Sequence, residues 1–218
     1  MAVIERRCMP AAIALRAALG FGAGLLAPLG LHAHGAHEHH KAAQTQPATA
    51  QVDVPDAPLV DASGRQRRLK SDVMGERVVV VNFVFTTCTT VCPVSSAILA
   101  QVQERLGAQL GSDVQLVSIT VDPLRDTPAR LKAYAAKIGA GPGWTWLTGR
   151  KDVVDSVLRA FGAYTARPED HPAMMLIGSA RTGKWTRMYG FPSAPEVLAE
   201  VVRHTAECAP TPDVAARK

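Results

Sequence analysis

Cysteine is scarce in this 218-residue chain. There are four, with Cys8 in the N-terminal segment, Cys208 near the other end, and only Cys88 and Cys92 close together. That usage speaks against a disulfide-knit scaffold, whereas one tight pair is the pattern of a redox or metal site. A dense Lys/Arg stripe with interleaved aromatics is also missing. The formal charge is +5, aromatics make up 5% of the chain, and the basic patch Arg65, Gln66, Arg67, Arg68 and Lys70 is short. Nucleic acid is therefore excluded as the expected partner. No internal repeat occurs, which excludes a solenoid. No uninterrupted apolar run reaches the roughly 20 residues of a membrane span. What the chain does have is 47% hydrophobic residues, ample for one core.

Residues 1–33 read as a targeting segment. Arg6 and Arg7 form a positive start, an apolar run follows from Ala17 to Leu31, and Leu31-His32-Ala33 resembles a small-residue cleavage site. Counting from Met9 reaches spanning length but places Arg16 inside the bilayer. The segment is thus a signal peptide or a membrane anchor, with Arg6-Arg7 also hinting at twin-arginine export. Either reading puts the remainder outside the cytoplasm, in the periplasm or on the outer face of the cytoplasmic membrane, where thiol redox state matters. Residues 34–51 read as a His-rich linker. His32, His34, His37, His39 and His40 are five of the seven histidines in the chain. Such a tract is a compositional metal-binding signal, and it reads equally as a solvated linker with incidental histidines.

The folded part is expected over residues 52–205, with a tail at 206–218. Asp61-Ala62-Ser63-Gly64 signals the turn of an N-terminal hairpin. Val78 to Phe85 (VVVVNFVF) has the continuous apolar, β-branched character of a central strand buried on both faces. A helix follows through Ile98, Leu99, Val102 and Leu106, and Val114 to Val121 is the next strand. Thr127 caps a second helix with Pro128 at its first position. Asp152 to Phe161 is a third helix. Ala173 to Ile177 and Trp185 to Tyr189 pair around Gly183, and Ser193 with Glu196 forms a capping box for the last helix. This element order is that of an α/β, thioredoxin-like fold, a central mixed sheet flanked by helices.

The chemistry concentrates at Thr86-Thr87-Cys88-Thr89-Thr90-Val91-Cys92-Pro93, between the buried strand and its following helix. Ligands gather beyond the carboxyl ends of strands in such sheets. A helix start offers unpaired N–H groups and the positive dipole end, which stabilise a thiolate. Cysteines four apart lie on one helical face and can share a target while still permitting a disulfide. Soft thiolates favour Cu(I), and an added imidazole accommodates Cu(II). Structural zinc takes four protein ligands, and no second Cys or His pair lies inside the domain. An inert pair of buried cysteines is the bland alternative. His171, just ahead of a strand, is the candidate third ligand.

These residues resemble the Sco/SenC family of copper-binding thioredoxin-fold proteins. The resemblance covers about Val52 to Val202. It rests on Val81-Asn82-Phe83 leading into Thr87-Cys88, on Cys92-Pro93, on Val121-Asp122-Pro123 with Asp126-Thr127-Pro128, on Trp144 to Gly149, and on Asp170-His171. It implies that Cys88, Cys92 and His171 bind one copper ion as a metallochaperone for the binuclear centre of a cytochrome c oxidase. The implied partner is a copper-accepting oxidase subunit or another copper chaperone, and the chain is expected to act as a monomer. The alternative is an enzyme, a thiol–disulfide oxidoreductase in which Cys88 attacks and Cys92 resolves. Two positions depart from the family pattern. Thr89 and Thr90 stand where the family has Pro and Asp, and Pro172 where it commonly has Ser; both shift weight toward redox work. Asp122 and Asp126 match the pattern, with structural roles expected first. A peroxidase is disfavoured because Asn82 to Phe85 lacks the proline that peroxiredoxins carry. Cys208 is expected in the tail as an exposed bystander.

Overall fold

The computed structural model describes residues 47–208. The targeting segment, the His-rich tract up to residue 46 and residues 209–218 lie outside the described residues. Eight strands form one sheet in the order β1 (Ala48–Gln51), β8 (Lys184–Tyr189), β7 (Met174–Gly178), β4 (Val78–Val84), β5 (Val114–Thr120), β6 (Trp144–Thr148), β2 (Pro58–Asp61) and β3 (Gln66–Arg68). Neighbours β4, β5 and β6 are parallel, and every other pairing is antiparallel. The four α-helices among the described residues are α1 (Val91–Leu106), α2 (Pro128–Ile138), α3 (Lys151–Ala160) and α4 (Ala194–Cys208).

Helices cover both sides of the sheet at β4, which has no solvent face. All seven of its residues are buried. Val79, Val81 and Phe83 join a core with Val154, Val157 and Leu158 of α3 and with Val52, Val54 and Leu69. Val78, Val80 and Val84 join the opposite core, with Leu99 and Val102 of α1 and Val197 and Val201 of α4. Asn82 interrupts the run but is paid no solvent contact; its Oδ1 accepts from Ser118 Oγ at 2.6 Å, and Ser118 Oγ in turn accepts from Trp144 Nε1 at 2.9 Å.

The expected caps are present. Thr127 Oγ1 accepts from the Arg130 N–H at 3.3 Å ahead of Pro128. The Ser193 N–H donates to Glu196 Oε2 at 2.7 Å while the Glu196 N–H donates back to Ser193 Oγ at 3.4 Å. Gly139 ends α2 in the left-handed region, φ 75°, a conformation that glycine adopts without steric cost.

Three features differ from the sequence reading. The sheet starts earlier than Val52, because the backbone of Ala48–Gln51 pairs with β8 even though its side chains are mostly exposed. Trp144–Thr148 is a strand, drawn into the sheet by parallel pairing with β5. Cys208 is not in a tail but is the last residue of α4. It is half-buried against the α1-side core, and its carbonyl accepts from Arg181 Nη2 at 2.5 Å.

Candidate functional site

The parallel strands β4 and β5 end at the same edge of the sheet, and β7 begins there. Cys88 follows β4, and His171 precedes β7 by three residues. The topology thus brings residues 83 positions apart in sequence to one end of the molecule.

Cys88 lies outside α1, three residues ahead of Val91, while Cys92 is the second residue of the helix. The i,i+4 helical geometry expected from the spacing therefore does not apply. A different relation holds. The Cys92 N–H donates to Cys88 Sγ at 3.3 Å, and the side chain of Thr90 at the helix cap makes no capping hydrogen bond. The sulfur of Cys88 itself satisfies one of the free N–H groups of the first turn, a place where negative charge is favoured. Thr90 Oγ1 stands 4.0 Å from the same sulfur. Both cysteines are free thiols; Cys88 is 8% exposed and Cys92 1%.

Their chemistry is unequal. Burial raises the Cys88 thiol, but hydrogen bonds from Cys92 and Thr90 outweigh it and leave its pKa below that of an ordinary thiol. Burial, followed by the hydrogen bond to Cys88, pushes Cys92 up to about 12. Cys88 is thus the readier thiolate.

His171 is buried. Its Nε2–H donates to the Phe83 carbonyl at 2.9 Å, and the ring meets Phe83 edge-on with centroids 6.2 Å apart. Burial lowers its pKa, outweighing the opposing effect of the Phe83 carbonyl, so the ring is held neutral with its lone pair on Nδ1. That Nδ1 is buried and has no hydrogen-bond partner. Six other buried side-chain atoms among the described residues are also unpartnered, but of the seven His171 Nδ1 is the one nitrogen that carries a free lone pair. Among the described residues, no three His, Cys, Asp or Glu side chains are grouped closely enough to hold an ion. The three candidate ligands therefore share one end of the sheet without being assembled into a coordination set. Pro172 follows in a trans bond, since no cis peptide occurs among the described residues.

Asp126 has a role that its place beside the Thr127 cap did not reveal. It is 1% exposed. Its Oδ1 accepts from Thr86 Oγ1 and its Oδ2 from Thr120 Oγ1, both at 2.6 Å, and the Thr86 N–H reaches both oxygens at 3.2 Å. One carboxylate ties the chain leading to Cys88 to the end of β5. Asp122 pairs with Arg125 at 3.0 Å, and its N–H donates to Thr120 Oγ1.

A mixed sheet with a dithiol where its central strand enters a helix defines a thioredoxin-like protein with a Cys-x3-Cys site. Residues 47–207 match the SCO1/SenC family model. The chain belongs to the SCO1/SenC family. It is 30% identical to an SCO2-like protein of Rickettsia felis over 68% of this chain and 74% of that one. It is 35% identical to an SCO1 protein homolog of Bacillus subtilis over 91 residues, so there it spans about half the relative's length, 47%. Among solved structures, Arabidopsis thaliana ScoI with copper bound matches with a TM-score of 0.60 and 25% identity, over 72% of this chain and 99% of that one.

Proposed function

We propose that this protein carries one copper ion on Cys88 Sγ, Cys92 Sγ and His171 Nδ1 and delivers it to the binuclear copper centre of a cytochrome c oxidase, working outside the cytoplasm. The observation that carries this reading is the unpartnered Nδ1 of His171, a buried neutral donor at the same end of the sheet as two free thiols. Two sulfurs and one imidazole suit Cu(I), and the nitrogen also accommodates Cu(II). Ion binding requires the ring or the segment ahead of β7 to move toward the thiols. Delivery follows by ligand exchange, in which the acceptor's thiols replace Cys88 and Cys92 one at a time. No helix among the described residues is long and apolar enough to cross a membrane; export is carried by the reading of residues 1–33.

The inequality of the thiols supports a second reading, thiol–disulfide exchange. The Cys88 thiolate would attack a partner's disulfide, releasing one partner thiolate and forming a mixed disulfide. Cys92, after losing its proton, would displace the second partner sulfur. The partner gains two electrons, and Cys88 and Cys92 leave as a disulfide.

Titration of the reduced protein with Cu(I) separates the two. The carrier reading expects a one-to-one end point and a large loss of affinity in His171→Ala with disulfide exchange retained. Affinity unchanged in that variant removes His171 from the ligand set, and no stoichiometric complex in the parent protein leaves the oxidoreductase.

A further inference from the structure

Six large apolar side chains are exposed among the described residues, and four of them belong to one end of the sheet: Val94 (44%), Leu124 (75%), Tyr189 (39%) and Phe191 (49%). Val94 lies in the first turn of α1, two residues beyond Cys92. Leu124 follows β5, whose end is level with that of β4. Tyr189 closes β8 opposite Met174, the first residue of β7, and Phe191 leads into α4, which packs beside α1. Cys88 lies between these flanks. From β5 to β8 there are three strand spacings, so the rim is about 14 Å across.

Charge is sparse in the segments that carry these side chains. No Asp, Glu, Lys or Arg occurs from Val78 to Gln103, from Pro172 to Ala180 or from Met188 to Pro195. Of the charges at this end, Arg125 pairs with Asp122 at 3.0 Å, Arg150 with Asp152 at 2.8 Å and Arg167 with Asp170 at 2.7 Å, while Arg130, Glu169 and Glu196 are exposed without an ion pair among the described residues. Because Cys88 is only 8% exposed, a ligand arriving from another protein reaches its sulfur only by bringing its flanking residues against this rim.

We propose that Leu124, Val94, Tyr189 and Phe191 form the docking surface for the copper-accepting protein, and that it recognises a loop whose thiol or thioether ligands are flanked by apolar residues. This rests on the copper-carrier reading and adds the chemistry of its acceptor. Exposed apolar rims around a recessed functional group are where binding energy concentrates.

The test uses the copper-loaded full chain and the soluble copper-binding domain of a cytochrome c oxidase subunit II as acceptor. Val94→Asp, Leu124→Asp and Phe191→Asp are expected to slow copper transfer at least about tenfold, with Cu(I) affinity within about twofold of the parent. Val202→Asp, at an equally exposed apolar site along α4, serves as the control and leaves the rate unchanged. Rim variants that transfer copper at the parent rate overturn the docking surface alone. Self-association of the parent that the rim variants abolish, with transfer unaffected, assigns the rim to a second copy and also overturns it. A parent protein that binds no copper overturns both readings.

Discussion

At the scale of the residue, Cys88 and Cys92 stand four positions apart yet differ in the features that govern reactivity. Cys88 is supported by the Cys92 N–H and lies nearer to solvent; Cys92 is enclosed and pushed up to about 12. Limited alkylation of the reduced protein near neutral pH should therefore label Cys88 at least about tenfold faster. Peptide mass spectrometry reads this directly, and equal labelling of the two thiols would contradict it. Asp126 acts on the same loop from outside. Asp126→Ala leaves the Thr86 N–H and the hydroxyls of Thr86 and Thr120 without their acceptor. With a cost of about 1–3 kcal/mol per buried group left unsatisfied, the variant should lose at least about 2 kcal/mol in urea denaturation. Asp126→Asn, which retains one acceptor oxygen, should lose less.

The cysteine pair was legible in the sequence because its spacing and its place after an apolar run are local signals. The partner of His171 was not, because it is the backbone carbonyl of Phe83, an atom common to every residue and located only by the pairing of β4 with β7. Asp126 was legible as a match to a family pattern but not as a clamp, since Thr86 is 40 positions away.

Elements divide in the same way. β4 could be read directly, because strands buried on both faces are nearly continuous in apolar residues, and β5 by its β-branched content despite the polar side chains of Gln115, Ser118 and Thr120. β1 could not: its ATAQ sequence carries no apolar stripe, and only its hydrogen bonding to β8 makes it a strand. β6, which reads Trp-Thr-Trp-Leu-Thr, is likewise defined by its neighbour β5. A comparable non-local tie fixes the helical turn at Leu69–Met74. Asp56, ahead of β2, accepts from Arg68 Nε at 2.7 Å and from the N–H groups of Lys70 and Ser71 at 3.1 and 2.9 Å. The bond from Arg68, followed by that from the Ser71 backbone, lowers the Asp56 pKa from 3.8 to about 2. The folded protein binds this proton more weakly than the unfolded chain does. The stabilisation is therefore complete above about pH 4 and disappears as the pH falls from about 4 toward 2. Asp56→Asn should be less stable than the parent at neutral pH, and the gap should close in acid-denaturation curves across that window. A gap that stays constant down to pH 2 would assign the effect to something other than this carboxylate.

For the molecule as a whole, ligation and folding are linked. An ion that binds only the folded state adds about 4 kcal/mol when its free concentration is a thousandfold above Kd. Anaerobic loading with Cu(I) should raise the urea midpoint accordingly, a chelator should reverse the rise, and His171→Ala should gain less. Loading that leaves the midpoint unmoved would mean that copper is held no better by the folded sheet than by the unfolded chain.

The sulfur of Cys88 is also the terminal acceptor for α1. Whatever draws its electron pair elsewhere, a metal or a second sulfur, takes that electron density from the amide of Cys92. Deuterium uptake at this one peptide group should therefore report the state of the thiol while the rest of the helix stays silent.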